Sequence, residues 1–232
     1  MPSPNFQFKQ FTVWHDRCAM KVGTDGVLLG AWCTVEGAQT VLDIGTGSGV
    51  IALMLAQRNL QARIVGIDID ADAVAQANDN FVRSPFASRL TALQMDFASP
   101  STLHASPFSL IVSNPPFFTE DTASPDPRRQ QARSASSLPL DVLMEGVAAL
   151  LADDGRFALV VPYTSAADVV LAAATHGLNL CRRCDVRGGE RKPPKRVLLE
   201  FTRRTVVTQF SSLVIGSPDY QLLTRDFYLD HP

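Results

Sequence analysis

A chain of 232 residues with a mass of 25.2 kDa is long enough for one well-filled domain and leaves little for a second. Hydrophobic residues at 46% and charged residues at 19% exclude a disordered chain and a fibrous repeat. A formal net charge of -2 and a pI of about 6.1 exclude a protein that coats nucleic acid non-specifically, so any contact with a polyanion must be local.

The N-terminus has no apolar segment of signal-peptide length, and no later stretch approaches the roughly 20 apolar residues of a membrane span, so a cytoplasmic protein without membrane contact is expected. Lys9, Arg17 and Lys21 form a first basic group. From residue 41 onward, apolar runs at 41–44, 64–67, 90–95, 110–112, 157–161 and 197–201 alternate with Ala-rich stretches of helical period at 49–57, 72–82, 141–151 and 165–175. That alternation predicts a parallel sheet covered by helices, with strands buried on both faces. Residues 119–139 break the rhythm with prolines, serines and the basic residues Arg128, Arg129 and Arg133. A loop that long, following a strand, is expected to lie over the carboxyl edge of the sheet, where open α/β folds bind ligands. A last basic group runs from Arg182 to Arg196. Cys181 and Cys184, on either side of Arg182 and Arg183, form a lone CxxC, read as two ordinary thiols and not as a metal site.

Two motifs carry chemistry. The first strand enters Asp43-Ile44-Gly45-Thr46-Gly47-Ser48-Gly49 and a helix follows, so backbone N–H groups at a helix start face a ligand that glycine lets come close. The spacing is GxGxG, and the dinucleotide fingerprint would need glycine at Val50. Asp43 would repel a pyrophosphate but suits the ammonium of a methionine moiety. Asp68 ends the next strand, about 20 residues on, as a bidentate partner for ribose hydroxyls. Asp96 ends the third and can accept from an adenine amino group, with Phe97 beside it, while Asp70 is read as the cap of the following helix.

The fourth strand opens into Asn114-Pro115-Pro116-Phe117. An adenine amino group is a poor nucleophile because its lone pair is delocalised into the ring. The Asn114 oxygen and the Pro115 carbonyl can hold its two hydrogens, the prolines stiffen the turn, and Phe117 can stack on the base.

These residues resemble the class I S-adenosylmethionine-dependent methyltransferases that carry an NPPY or NPPF motif. Residues 8–11 (Phe-Lys-Gln-Phe), 15–26 from His15 to Gly26, 131–133 and 196–199 make the chain similar to the bacterial tRNA1(Val) adenine-37 N6-methyltransferase family. The resemblance covers most of the chain and implies a Rossmann-like, mostly parallel seven-stranded sheet with helices on both faces. It implies a single domain over 1–232, with 1–37 covering the cofactor and 38–232 as catalytic core, acting as a monomer. S-adenosylmethionine is the implied cofactor and tRNA the implied partner. Thr24 and Asp25 join Asp43, Gly45 and Gly47 at the methionine end, with Asp68 on the ribose, Asp96 on the adenine ring, and Asn114 to Phe117 on the target base. Lys9, Arg17, Lys21, Arg128, Arg129, Arg133 and Arg196 are the candidate RNA contacts. Protein-glutamine N5 transfer, guanine N2 transfer on ribosomal RNA, and an RNA-binding assembly factor with a vestigial pocket are the competing readings.

Overall fold

The computed structural model describes residues 3–18, 20–99, 107–115 and 138–229. A short antiparallel hairpin, β1 (Asn5–Gln7) and β2 (Thr12–Trp14), precedes helix α1 (Thr24–Trp32). The alternating core follows as β3 (Thr40–Ile44), α2 (Val50–Arg58), β4 (Arg63–Asp68), α3 (Ala71–Val82), β5 (Leu90–Gln94), β6 (Phe108–Ser113), α4 (Leu140–Leu150), β7 (Leu151–Pro162) and α5 (Ala166–Thr175). Strands β8 (Asn179–Arg187), β9 (Pro194–Thr202) and β10 (Gln209–Val214) and helix α6 (Pro218–Thr224) complete the described chain.

The large sheet runs β10-β8-β9-β7-β6-β3-β4-β5, and β9 alone runs against the others. Order reverses between β3 and β6, so the crevice at their carboxyl ends is the ligand position of an open α/β sheet. Side chains alternate along each strand between two cores. Val41, Ile64, Leu110 and Leu198 face α1, α2 and α3, while Leu42, Ile111, Phe157 and Leu199 face α4 and α5. Phe8, Phe11 and Val13 of the hairpin region belong to the first core.

The expected mostly parallel sheet with helices on both faces is present, with eight strands where seven were expected. The additional strand is β10, parallel to β8 at the sheet edge. Its residues from Gln209 to Ser212 are exposed, so it lacks the apolar run of a strand buried on both faces. Strand β8 is hidden in the sequence for another reason. Arg182, Arg183, Asp185 and Arg187 dilute its pattern; Arg182 is taken up by partners on other elements, and Arg183 and Asp185 pair with each other. Arg182 lies with its guanidinium 4.2 Å from the centre of the Trp32 ring, and Arg183 is 2.8 Å from Asp185. Helix α1 is buried from Gly26 to Trp32 on every side, so it shows no polar stripe.

Glu200 on β9 is fully buried and ties α1 to the sheet. Its carboxylate accepts from the Thr34 amide (2.8 Å) and hydroxyl (2.9 Å), from Arg156 on β7 (3.0 Å) and from Arg182 on β8 (3.2 Å). Cys181 is a buried thiol donating to the Glu200 carbonyl, and burial pushes it up to about 11. Removing this carboxylate leaves two guanidinium groups and an amide without their acceptor. Glu200→Ala is therefore expected to lower unfolding free energy by about 2–4 kcal/mol, below the cost of breaking a fully dry pair because both arginines are partly solvated. Urea denaturation checks it, and a loss under about 1 kcal/mol would contradict the assignment.

Candidate functional site

The turn from β3 into α2 is left-handed at Gly45 (φ 70°), Gly47 (φ 53°) and Gly49 (φ 80°). L side chains rarely adopt that region, so three alternate glycines are a steric requirement. A Cβ at Gly45 or Gly47 would meet no atom within 4 Å, so both backbones face open space, the cradle a close ligand needs. At Gly49 a Cβ would lie 2.5 Å from the Phe81 ring, so this glycine is also needed for α3 to pack.

Asp43 lies beneath the turn with no exposed surface. Its Oδ2 accepts from the Thr46 hydroxyl at 2.8 Å, and its buried Oδ1 has no hydrogen bond of good geometry among the described residues. Thr46 in turn packs over Gly66, where a Cβ would come within 2.6 Å of its hydroxyl oxygen. Burial pushes the Asp43 carboxyl up to about 7, against the opposing pull of the Thr46 hydroxyl and the Ala52 amide, with negative Asp68 adding to the rise.

Asp68 is half-buried at the end of β4 and accepts from the Gly47 amide at 2.9 Å and the Asp70 amide at 3.0 Å. Its carboxyl is also raised, chiefly by burial. Each oxygen keeps a lone pair for a further donor. Asp70 caps α3 as anticipated, accepting from the Asp72 amide at 2.9 Å. Asp96 is exposed beyond β5 and accepts from the Ala98 amide at 2.9 Å. Phe97 is buried, its ring so close to α4 that a Cβ at Gly146 would come within 2.6 Å of it.

Asn114 and Pro115 follow β6 and are half-buried. The buried Ser113 hydroxyl donates to the Ile44 carbonyl at 2.9 Å, which locks the end of β6 to β3 one residue before the glycine turn. A Cβ at Gly26 would lie 3.9 Å from Asn114 Nδ2, so the first turn of α1 borders Asn114 and brings exposed Thr24 and half-buried Asp25 to the same edge. Asp25 accepts from Arg196 Nε at 2.8 Å, so Arg196 is held at the site by an ion pair. Pro116, Phe117, Arg128, Arg129 and Arg133 lie outside the described residues.

The first basic group divides. Arg17 is ion-paired with Asp79 of α3, and its amide and side chain also reach Gln76. Lys9 donates to the Arg225 carbonyl at 2.6 Å, and neighbouring Asp226 accepts from Gln57 at the far end of α2 from the glycine turn. Lys21 is exposed. Two residues that sequence reasoning passed over belong to the constellation, Thr46 and Cys18. Thr46 was legible as the residue between two glycines, whereas Cys18, pushed up to about 12 by burial with Asp68 and Asp70 adding to it, is placed there only by the fold.

Two carboxylates bonded to an open glycine turn, Asp43 and Asp68, favour a ligand that is cationic near the turn and hydroxyl-bearing beside Asp68, and would repel a pyrophosphate. The fold and this edge define an α/β enzyme of the methyltransferase class. The methyltransferase small domain model matches residues 22–176. A tRNA1(Val) (adenine(37)-N6)-methyltransferase of Bacteroides thetaiotaomicron is 46% identical over 99% of both chains, and one of Yersinia enterocolitica is 42% identical over 97% of this chain and 93% of its own. The chain therefore belongs to the methyltransferase small-domain family and, within it, to the tRNA1(Val) (adenine(37)-N6)-methyltransferase family. The crystal structure of protein Atu636 from Agrobacterium tumefaciens shares the fold, with a TM-score of 0.67 at 16% identity over 88% of this chain and 96% of its own. No helix among the described residues is long and apolar enough to cross a membrane.

The raised Asp43 carboxyl has a defined sign. Its folded value lies above the unfolded carboxylate value, so its contribution to stability is complete below about pH 4 and is lost as pH rises through about 7. Asp43→Asn, which cannot titrate, is expected to flatten the fall in thermal stability of the ligand-free protein between pH 5 and 8. Parallel melting curves for parent and variant across that range would contradict the burial assigned to Asp43.

Proposed function

We propose that this enzyme transfers a methyl group from S-adenosylmethionine to the exocyclic nitrogen of an adenine in tRNA, A37 of tRNA1(Val). The observation that carries the reading is the Ser113–Ile44 hydrogen bond, which brings the residue before Asn114-Pro115 to the residue before the glycine turn, in a chain nearly half identical to relatives named for that reaction. The residues present fit the cofactor, since Gly45 and Gly47 leave a cradle that a Cβ would fill and the acids suit its cationic and hydroxyl groups. Asp43 acts from beneath, holding Thr46 and supplying negative potential for an ammonium group. Thr24 and Asp25 close the methionine end, Asp68 takes the ribose, and Asp96 the adenine ring with Phe97 supporting the loop. S-adenosylmethionine supplies, when bound, a methyl group activated by a sulfonium.

The chain's own part is to make the acceptor nitrogen nucleophilic and aim it. The Asn114 side-chain oxygen and the Pro115 carbonyl accept the two amino hydrogens and favour the pyramidal form of the nitrogen, with its lone pair free of the ring. Proline at position 116 fixes its own φ, and the aromatic ring of Phe117 is of the kind that stacks on a base, a contact that needs no hydroxyl. Positioning of this kind supplies a large share of a rate enhancement. A base in an anticodon loop leaves its stack at low cost, which suits a locally basic enzyme. The chain works as one domain and a monomer, with Cys18, Thr24 and Asp25 of its N-terminal segment at the cofactor edge while Phe8 and Lys9 pack towards the far end of α2, and it meets tRNA in the cytoplasm.

Labelled S-adenosylmethionine with unmodified tRNA1(Val) tests the reaction, and label recovered as N6-methyladenosine at position 37 is the expected product. Label in glutamine or guanine would overturn it. Asn114→Ala removes one of two acceptors and is expected to slow single-turnover transfer about a hundredfold or more, the scale of losing one transition-state hydrogen-bond partner. Cofactor affinity, read by calorimetry, is expected to be unchanged. Neither acceptor titrates near neutrality, so the transfer rate is expected to show no rise of general-base type between pH 6 and 8. A sigmoidal rise there, or a variant within about threefold of the parent, would refute this use of Asn114.

A further inference from the structure

The hairpin joining β8 to β9 is basic and stands at the same sheet edge as Asn114. Strand β8 runs parallel to β6 and β3 through the antiparallel β9, so its carboxyl end and the start of β9 lie at the carboxyl edge. Pairing of Ser113 with Leu159 and of Pro162 with Arg196 puts Arg196 two strands from β6 and three residues further out than Ser113. Those steps amount to about 10 Å across the sheet and about 10 Å above its rim. The Lys192 amide donates to the Gly189 carbonyl at 3.0 Å, which closes the tip as a turn.

Around this turn Arg191, Lys192 and Lys195 are exposed, with Arg187 half-buried at the base and Glu190 the single acid. Among the described residues none of these four cations makes an ion pair, whereas Arg156, Arg182, Arg183 and Arg196 all do. The earlier arginines are consumed by the fold. Those of the tip are left facing solvent beside the site.

We infer that the β8–β9 hairpin tip, through Arg191, Lys192 and Lys195, is a phosphate-binding platform that holds the tRNA backbone next to the target base. This rests on the proposed tRNA reading and adds the surface that docks the RNA. The Asp25–Arg196 ion pair joins the platform to α1, whose first turn borders Asn114, so docking is mechanically connected to the reacting edge. Two lysine ammonium groups and one arginine guanidinium on flexible stems suit phosphates, which fix register without reading sequence.

The test measures binding of unmodified tRNA1(Val) against salt and, separately, single-turnover transfer to it. Arg191→Ala/Lys192→Ala/Lys195→Ala is expected to bind at least tenfold more weakly at about 0.1 M salt, with a salt slope shallower by about 3, one per lost contact. Cofactor affinity and melting temperature stay at the parent values. Arg191→Lys/Lys192→Arg keeps the charges and is expected to behave as the parent. Arg63→Ala/Arg204→Ala/Arg225→Ala removes the same charge around the opposite edge and is expected to leave the slope unchanged. An alanine variant of the tip with the parent's slope, or a control that loses as much, would overturn the inference. Absence of transfer by the parent itself would instead overturn the tRNA reading, because binding is scored independently.

Discussion

The arrangement of the reactive edge depends on one close packing, the seat of Thr46 between Asp43 and Gly66. The chain leaving β3 must turn back over the end of its neighbour β4 to start α2, and it does so with Thr46 resting where a side chain on β4 would otherwise stand. The Gly45 and Thr46 amides both donate to the Ile67 carbonyl, and the Gly47 amide donates to Asp68, so the turn is bonded along its length to β4. The left-handed glycines allow that path and the bonds make it rigid. The cost is a carboxylate buried beneath the turn and raised toward neutrality.

A second constraint places the other half of the edge. Helix α1 lies on the core formed with α2, and its exit is held by Glu200 through Thr34. Its first turn then falls against Asn114. Arg156, Arg182 and Glu200 come from three adjacent strands, so the same charges that stitch β7, β8 and β9 together also set where α1 ends. Arg196 repeats the device at the other end of the helix through Asp25. A region rich in arginine thus serves two purposes, internal neutralisation near the sheet's middle and free positive charge at its carboxyl rim. Net charge near zero and a local anion-binding surface are compatible for this reason.

Much of the core was legible from residue order alone. The runs around Val41, Ile64, Leu110, Phe157 and Val197 are apolar because those strands are buried on both faces, whereas edge strand β5 buries Leu90 and Ala92 on one face only, and helices α3, α4 and α5 carry a 3.6-residue stripe. The glycine turn was legible because its φ values exclude other residues, and Asp70 because an acid just before an apolar-periodic stretch caps a helix. Asn114-Pro115 stood out by position, immediately after a buried strand.

Tertiary structure decided the rest. Composition shows that Arg17, Arg182 and Lys195 are basic, but only the fold pairs the first with Asp79 and the second with Glu200 and leaves the third exposed. Strand β8 reads as polar although the fold supplies Arg182 with Trp32 and Glu200 from other elements, and α1 carries no stripe because it is surrounded on all sides. Pattern along the chain reports burial by neighbours of any identity. Which charge meets which, and which residues from 18 to 196 share one sheet edge, follows from contacts between distant segments that local periodicity does not encode.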